Sequence, residues 1–255
     1  MKQTSQQLVW ESNAGLRWKR LDQPATSFGT GLLFCLSFAL FLPHFVLAIP
    51  VTSGPNGTLG PPVPGDSQDY DNIGLNLARG RGFGVYHDDP EWRAPYEANN
   101  QHGMYDEILT RHGGYRPTAY RPPGYPFLLS IVYRSVGRSF FAARLANACL
   151  LSLAVSITVL LAARYVSISG ACVVMMIGLA DGVLRSYAGA YMTEALAVCA
   201  LAVTLWAMLA ALQTPNVWRM LLAGVCFGLL ILSRSLFVFW TPLLVVLVGY
   251  CMQLS

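Results

Sequence analysis

Three carboxylates stand close together in the first polar segment of the chain. Asp66, Asp69 and Asp71 fall within six consecutive positions. Carboxylates at this spacing can supply a general base or ligands for a divalent metal ion. Aspartate is also favoured at the N-cap and in the first turn of a helix, so a solvated helix start would give the same pattern. Composition alone leaves both interpretations open.

An arginine lies in a turn whose backbone is fixed by proline. Residues 120–126 read YRPPGYP, which places Arg121 ahead of two prolines and a glycine. Proline fixes φ, so the guanidinium is held on a stiff support. Such a group can bind a phosphate. Together with Tyr120 and Tyr125 it would equally serve as an interfacial anchor.

Two further charged residues lie at the ends of apolar segments. Glu194 begins one such segment, and Arg234 separates two others. A charge at the centre of a membrane helix costs about 2.5–3.5 kcal/mol on insertion scales, so a charged residue there is expected to have a structural or functional role. Glu194 is either a first-turn acidic residue or part of a site, and Arg234 is a candidate for binding an anion. Asp181 interrupts another apolar segment, and the sequence shows no partner for it.

The histidines and cysteines do not form a recognised metal motif. The four histidines lack the HExxH spacing, and the six cysteines lie in apolar segments without a CxxC pair. We interpret the cysteines as small buried hydrophobic residues. No cofactor is indicated with certainty. A divalent ion in the polar segment is left open, with Asp66, Asp69 and His102 as candidate ligands.

Apolar segments make up most of the chain and would hold these charged residues at a membrane. The sequence is 54% hydrophobic and 12% charged, whereas soluble domains carry about 25% charge. The scattered basic residues do not favour nucleic-acid binding. A span needs about 20 apolar residues, and the sequence predicts an all-α, polytopic membrane helix bundle of about six transmembrane helices. The predicted spans are 28–50, 145–163, 166–184, 195–212, 220–232 and 236–254.

The order of polar and apolar segments predicts the organisation of the chain. Basic residues ahead of the first span place residues 1–27 in the cytoplasm by the positive-inside rule. Residues 51–142 then form a long extracytoplasmic first loop, and residues 143–255 form the rest of the bundle. Within the loop, residues 69–79 have the spacing of a short amphipathic helix at the membrane surface.

Residues 125–136 are moderately apolar but short for a span. We interpret them as an interfacial or re-entrant helix. The alternative, a short true span, would invert every later helix. The interfacial interpretation leaves Arg134, Arg138 and Arg144 on the outer side, which runs against the positive-inside rule.

These motifs together resemble the N-terminal half of a glycosyltransferase of the GT-C fold. The similarity is to the dolichyl-phosphate-mannose protein mannosyltransferase and aminoarabinose-transferase superfamily. Each element is weak alone, and their order along the chain carries the resemblance. The elements are GDxxxY at 65–70, NLARGRGF at 76–83, RPPGYP at 121–126, RL at 144–145, TE at 193–194 and LSR at 232–234.

The resemblance implies an enzyme that takes a sugar from a polyprenyl phosphate donor in membrane lipid and transfers it on the outer face. The sugar and the acceptor are not implied. Asp66 corresponds to the probable catalytic base, and Glu194 to the acidic residue at the start of a later span. The residues implied in donor phosphate or substrate binding are Arg121, Arg234, Tyr70 and Tyr125.

The length of the chain and its charged residues also allow other interpretations. Members of this superfamily usually have more spans and often a soluble C-terminal domain, so the chain is expected to be an N-terminal part, with a second chain completing the bundle. An inactive paralogue that acts as a membrane interaction protein would keep the same motifs. A transporter would show polar residues near the membrane midplane, and only Asp181 favours that interpretation.

Overall fold

Helices make up nearly all of the structure. The computed structural model describes residues 27–49, 60–62, 65–99, 114–214, 216–242, 245, 246 and 249. Within these residues the only sheet is a two-stranded one. The predicted all-α membrane helix bundle is therefore confirmed.

The chain begins its described part with helix α1, Ser27–Val46. A loop region follows, and in its described residues three helices and two short antiparallel strands fold together. Its elements are α2, Asp66–Ala78; β1, Gly84–Val85; α3, Pro90–Ala98; β2, Arg116–Pro117; and α4, Gly124–Val136. The remaining elements are α5, Phe140–Tyr165; α6, Ile168–Ala180; α7, Gly182–Gly189; α8, Glu194–Gln213; α9, Val217–Ser233; and a 3₁₀ helix, Ser235–Trp240.

Three of the described helices are long and apolar enough to cross a membrane, namely α1, α5 and α8. Helices α6 and α7 together would make a fourth, bent by 56°. Helix α9 is apolar but only 17 residues long. The predicted last span starts as a 3₁₀ helix, and part of it lies outside the described residues. The number of about six spans stays a prediction.

The predicted span over residues 166–184 has a break at Asp181, the residue that interrupted it in the sequence, and is divided between α6 and α7. Asp181 ends α6 and caps α7: its carboxylate accepts hydrogen bonds from the backbone N–H groups of Val183 at 2.8 Å and Leu184 at 3.1 Å. A side-chain acceptor at an N-cap satisfies donors that the helix itself leaves free. This local function accounts for the carboxylate that had favoured a transporter.

Helix α5 lies at the centre of the bundle, against α1, α6 and α8. Phe41 and Phe45 of α1 are fully buried against the α5 side chains Leu151 and Val159. Gly178 lets α6 approach closely, because a Cβ there would lie 3.1 Å from the Phe41 ring. Close approach at small residues is how helices in lipid gain packing contacts.

Helix α2 confirms the predicted helix in the loop, and part of its polar face is buried. Asn72 and Asn76 are buried and bind the backbone of the next segment. The Asn72 amide accepts from Tyr86 N at 2.7 Å and donates to Tyr86 O at 3.0 Å, and Asn76 donates to Gly84 O at 2.9 Å. These amides satisfy backbone groups that would otherwise be unpaired. The helix therefore organises the loop from within.

Helix α4 runs beside α2 for its whole length. Gly74 of α2 lies so close to Leu129 that a Cβ there would come within 2.7 Å of the leucine Cβ. Beyond this contact, Arg134 donates to the α2 carbonyls of Leu77 at 2.6 Å and Ala78 at 3.2 Å. Arginine at a helix C-terminus binds carbonyls that lack a partner in the helix. Thirteen residues of helix span only about 20 Å, which supports the interfacial interpretation of α4.

The three arginines that ran against the positive-inside rule all have partners in the protein. Arg134 caps α2, as described above. Arg138 forms an ion pair of 2.5 Å with Asp71. Arg144 is buried and donates to Gly60 O at 2.9 Å and to a carbonyl before α8. These contacts tie the loop to the start of α5, which gives the arginines a structural reason to lie there.

Candidate active site

Arg121 joins two carboxylates of different exposure. Its Nη2 lies 2.6 Å from Asp66 Oδ1 and 2.6 Å from Asp69 Oδ2, and its Nε donates to the same Asp69 oxygen at 3.0 Å. The Asp69 side chain is 15% exposed and the Asp66 side chain 53%. One carboxylate is therefore a largely covered support for the arginine, and the other faces solvent.

The start of α2 explains why both carboxylates meet one arginine. Asp66 and Asp69 are three residues apart, so they project from the same face of the helix. Acidic residues are favoured in a first turn by the helix dipole. Gly65 precedes them with a φ of 128°, in the left-handed region that glycine adopts without strain. The chain thus turns sharply into the helix and leaves Asp66 at its open end.

The turn that carries Arg121 is fixed against the end of α9. A Cβ on Gly124 would lie 2.9 Å from both Leu232 O and Ser233 Cα, so the backbones touch where a side chain cannot fit. Pro123 immediately precedes α4 as its N-cap residue. The turn of Arg121 and the connection that holds Arg234 are therefore adjacent.

Asp69 keeps its charge because its partners outweigh its burial. Burial alone would raise the pKa of Asp69, but hydrogen bonds with His87, Arg121 and Tyr120 hold that pKa below its ordinary value. The His87 Nε2 atom lies 3.4 Å from Asp69 Oδ1. Burial lowers the pKa of Arg121, and its bonds to Asp69 and Asp66 more than reverse that effect. Both groups are charged at neutral pH.

A second ion pair joins α8 to α9. Arg234 Nη1 donates to Glu194 Oε1 at 3.2 Å. Glu194 begins α8 and Arg234 follows the last residue of α9, so the antiparallel hairpin brings them together. The other carboxylate oxygen, Glu194 Oε2, is buried and has no hydrogen-bond partner among the described residues.

Tyr70 connects the two ion pairs. Its ring lies under the Arg121 guanidinium, whose carbon is 5.7 Å from the ring centroid. Burial raises the pKa of Tyr70, and the carboxylates of Asp66 and Glu194 raise it further against the effect of Arg121. The sequence-predicted residues Asp66, Arg121 and Glu194 thus lie near one buried tyrosine, and Arg234 is joined to them through Glu194.

Tyr125 supports this arrangement from within the protein. It is fully buried, its ring packs edge-on against Tyr70 at 5.6 Å, and its hydroxyl accepts from Asn147 Nδ2 at 3.0 Å. The structure leaves no exposed surface of Tyr125 for a substrate. We therefore assign Tyr125 to packing rather than to the predicted substrate contact.

Comparison with known proteins decides the family. Residues 120–252, slightly more than half of the chain, match the family described as dolichyl-phosphate-mannose-protein mannosyltransferase. The chain belongs to this family. No curated protein and no solved structure matches it. As a member of the mannosyltransferase family the protein is a membrane glycosyltransferase of the GT-C type, and the predicted resemblance is confirmed.

The residues that match the family include only one part of the candidate site. Arg121, Glu194 and Arg234 lie inside the matched residues, whereas Asp66 and Tyr70 precede them. The 2.6 Å contact between Arg121 and Asp66 joins the two halves. Helix α2, which precedes the matched residues, therefore contacts the part of the chain that matches the family.

Two of the three candidate metal ligands, Asp66 and Asp69, lie in the part of the chain that the structure describes. Within it, no group of three or more histidine, cysteine, aspartate or glutamate residues is placed to hold a metal ion. Asp66 and Asp69 share the Arg121 guanidinium instead. His102 lies outside the described residues. The guanidinium of Arg121 thus lies between the two carboxylates.

The sequence prediction grouped Asp71 with the other two aspartates, and the structure separates it from them. Five residues of helix rotate a side chain by about 140°, so Asp71 points away from Asp66. It is fully buried and binds four side chains, which we call the Asp71 cluster. Their donors are Trp92 Nε1 at 2.9 Å, Tyr96 Oη at 2.9 Å, Tyr133 Oη at 2.6 Å and Arg138 Nη2 at 2.5 Å.

The Asp71 cluster stands directly behind the candidate site. Trp92 contacts Asp71 with its indole nitrogen, and its ring packs edge-on against the His87 ring at 5.3 Å. His87 in turn contacts Asp69. Trp92 was not singled out as a site residue from the sequence, because its contacts depend on the tertiary fold of the loop. The pairing of His87 with Asp69 depends on the same fold. The sequence carried one signal for this arrangement: helical periodicity places Asp71 on a different face of the helix from Asp66.

Proposed function

We propose that this protein transfers a sugar from a polyprenyl phosphate donor to an acceptor hydroxyl, with Asp66 as the base. The observation that supports this most directly is the contact of the exposed Asp66 carboxylate with Arg121 at 2.6 Å. A base for the acceptor and a cation for the leaving phosphate are thereby side by side. Sugar transfer from a phosphate needs both groups within reach of the same bond.

In the proposed reaction Asp66 accepts the proton of the acceptor hydroxyl. The acceptor oxygen forms a bond to the anomeric carbon while the bond between that carbon and the phosphate oxygen breaks. The electron pair of the broken bond stays on the phosphate, which leaves as polyprenyl phosphate. Arg121 and Arg234 stabilise the charge that develops there, since guanidinium groups match phosphate geometry.

Glu194 has two oxygens with different roles in this proposal. Oε1 orients Arg234 through the 3.2 Å ion pair. Oε2 has no partner among the residues that the structure describes. It is thus an acceptor that a hydroxyl of the bound sugar can donate to. A buried polar atom without a partner costs free energy, and a substrate hydroxyl would recover it.

The lipid tail of the donor is proposed to lie along α9. Its side chains Leu222, Val225 and Leu229 are about half exposed, and the helix ends at Arg234. A long apolar chain attached to a phosphate at Arg234 would cover these side chains. This placement accounts for an apolar protein surface next to a charged site.

We also propose the orientation that the positive-inside rule predicts, with residues 1–27 in the cytoplasm and residues 51–142 on the outer face. Tags for membrane-impermeant labelling placed between α5 and α6, after Tyr165, and within residues 87–112 are expected to report opposite faces. The reason is that the α5 helix, long enough to cross the membrane, separates the two positions. Labelling of both positions from the same side would contradict this orientation.

The proposed function is tested by sugar transfer from a polyprenyl phosphate donor with purified protein in lipid nanodiscs. Wild-type protein is expected to transfer the sugar, and Arg234→Gln to lower kcat/KM for the donor about 10²-fold, because one charge on the leaving phosphate is lost. Arg219→Gln is the matched control, since Arg219 lies at the other end of α9. Transfer from a nucleotide sugar alone, or equal rates in both variants, would contradict the proposal.

A further inference from the structure

The two carboxylates on Arg121 hold it with unequal strength. Asp69 accepts from two nitrogens of the guanidinium, Nε at 3.0 Å and Nη2 at 2.6 Å, and its side chain is 15% exposed. Asp66 accepts from Nη2 alone, and its side chain is 53% exposed. Exposed ion pairs contribute little to stability, while buried pairs with several hydrogen bonds resist separation. The bond to Asp66 is therefore the one that a competitor can replace.

Further contacts keep the guanidinium itself in place. Its carbon lies 4.9 Å from the Tyr120 ring centroid and 5.7 Å from that of Tyr70. His87 contacts the other oxygen of Asp69, so the supporting carboxylate is itself held. Arg121 Nη1 has no hydrogen-bond partner in the described part of the chain. The arginine is thus fixed at one edge and has donors left for a ligand.

In this arrangement Asp66 Oδ1 is occupied by the Arg121 guanidinium at 2.6 Å and does not face an acceptor hydroxyl alone. A phosphate binds guanidinium in a bidentate manner and more strongly than an exposed carboxylate with one hydrogen bond. Arrival of the donor would therefore free this Asp66 oxygen for the acceptor.

We propose that the donor phosphate replaces Asp66 on Arg121 and so releases Asp66 to act as the base, while Asp69 keeps the arginine in position. This inference rests on the proposed function, because it assumes that a polyprenyl phosphate sugar is the donor. The exchange makes and breaks no covalent bond and moves no proton. It sets an order in which the donor binds before the acceptor is activated. Asp69 is accordingly a positioning residue.

The exchange is tested by the affinity for polyprenyl phosphate itself, which carries the phosphate and lipid without a sugar. Asp66→Asn removes the charge of the competing group, leaving only a neutral acceptor, and is expected to tighten binding about two- to fivefold, the range that exposed ion pairs span. Asp69→Asn removes the same charge from the same arginine, but also its support, and is expected to leave binding unchanged or weaker. Glu97→Gln removes an exposed charge of another ion pair and serves as a control that does not touch the site.

The outcomes separate the exchange from simple electrostatics. Equal tightening in Asp66→Asn and Asp69→Asn would mean that only net charge matters, and would overturn the exchange. Unchanged or weaker binding in Asp66→Asn would overturn it as well. If Asp69→Asn does not fold, the comparison of Asp66→Asn with Glu97→Gln decides instead. Wild-type protein that binds no polyprenyl phosphate would overturn the proposed function, and the exchange with it.

Discussion

Asp66→Asn is expected to lower the rate of sugar transfer about 10²- to 10⁴-fold, the contribution usual for a general base. Asparagine has nearly the same shape and keeps a hydrogen-bond acceptor for Arg121, but it takes up no proton at neutral pH. Because Asp66 is exposed at the first turn of α2, the substitution leaves the packing of the loop intact. The loss should therefore appear in kcat, measured by initial rates with purified protein in nanodiscs.

The controls for this variant distinguish a base from a mere charge. Asp66→Glu restores a carboxylate with a longer side chain and is expected to recover part of the lost rate. Glu97→Gln, which breaks an exposed ion pair on α3, is expected to transfer sugar at the wild-type rate. Turnover in Asp66→Asn equal to that of the wild type would remove Asp66 from the role of base.

Asp71→Asn should destabilise the loop by about 3–5 kcal/mol, the cost of removing one partner from a buried ion pair. The Arg138 side chain is 12% exposed and would lose its counterion. Burial already raises the pKa of Tyr133 and of Tyr96 well above the ordinary value, so neither tyrosine can ionise to compensate. Thermal unfolding and limited proteolysis of the loop in detergent would measure the loss.

Asp181→Asn is the matched control for Asp71→Asn. Asparagine is as good an N-cap as aspartate, so the same chemical change at Asp181 is expected to leave stability nearly unchanged. A second comparison removes both charges of the cluster, Asp71→Asn with Arg138→Met. The double variant keeps an acceptor at position 71 and leaves no uncompensated buried charge, so it should be more stable than Asp71→Asn alone. Equal stability of Asp71→Asn and the wild type would contradict the structural role of this cluster.

The membrane helices were predictable because a single physical requirement determines them. Helices α1, α5 and α8 are each a long run of apolar residues. A run of about 20 such residues indicates a membrane-spanning helix. The break at Asp181 was visible only as a flaw in one such run. Its explanation needed the position of the backbone N–H groups that Asp181 binds, which hydropathy does not contain.

The candidate site was predictable in its residue types but not in its contacts. Arg121 and Asp66 are separated by 55 residues, and no periodicity relates positions that far apart. Their pairing depends on α4 lying beside α2, and this packing in turn depends on the absence of a side chain at Gly74. Asp71 shows the opposite case, since helical rotation alone separates it from Asp66. A grouping of carboxylates by sequence distance overlooks that rotation.

The Asp71 cluster also bears on how the loop is made by the ribosome. Trp92 and Tyr96 follow Asp71 by 21 and 25 residues, but Tyr133 and Arg138 follow it by 62 and 67. At translation rates of about 5–20 residues per second, the last partner emerges roughly 3 to 13 seconds after the aspartate. During biogenesis the carboxylate thus lacks its counterion for seconds, and the loop reaches its native core only when the beginning of α5 has been synthesised.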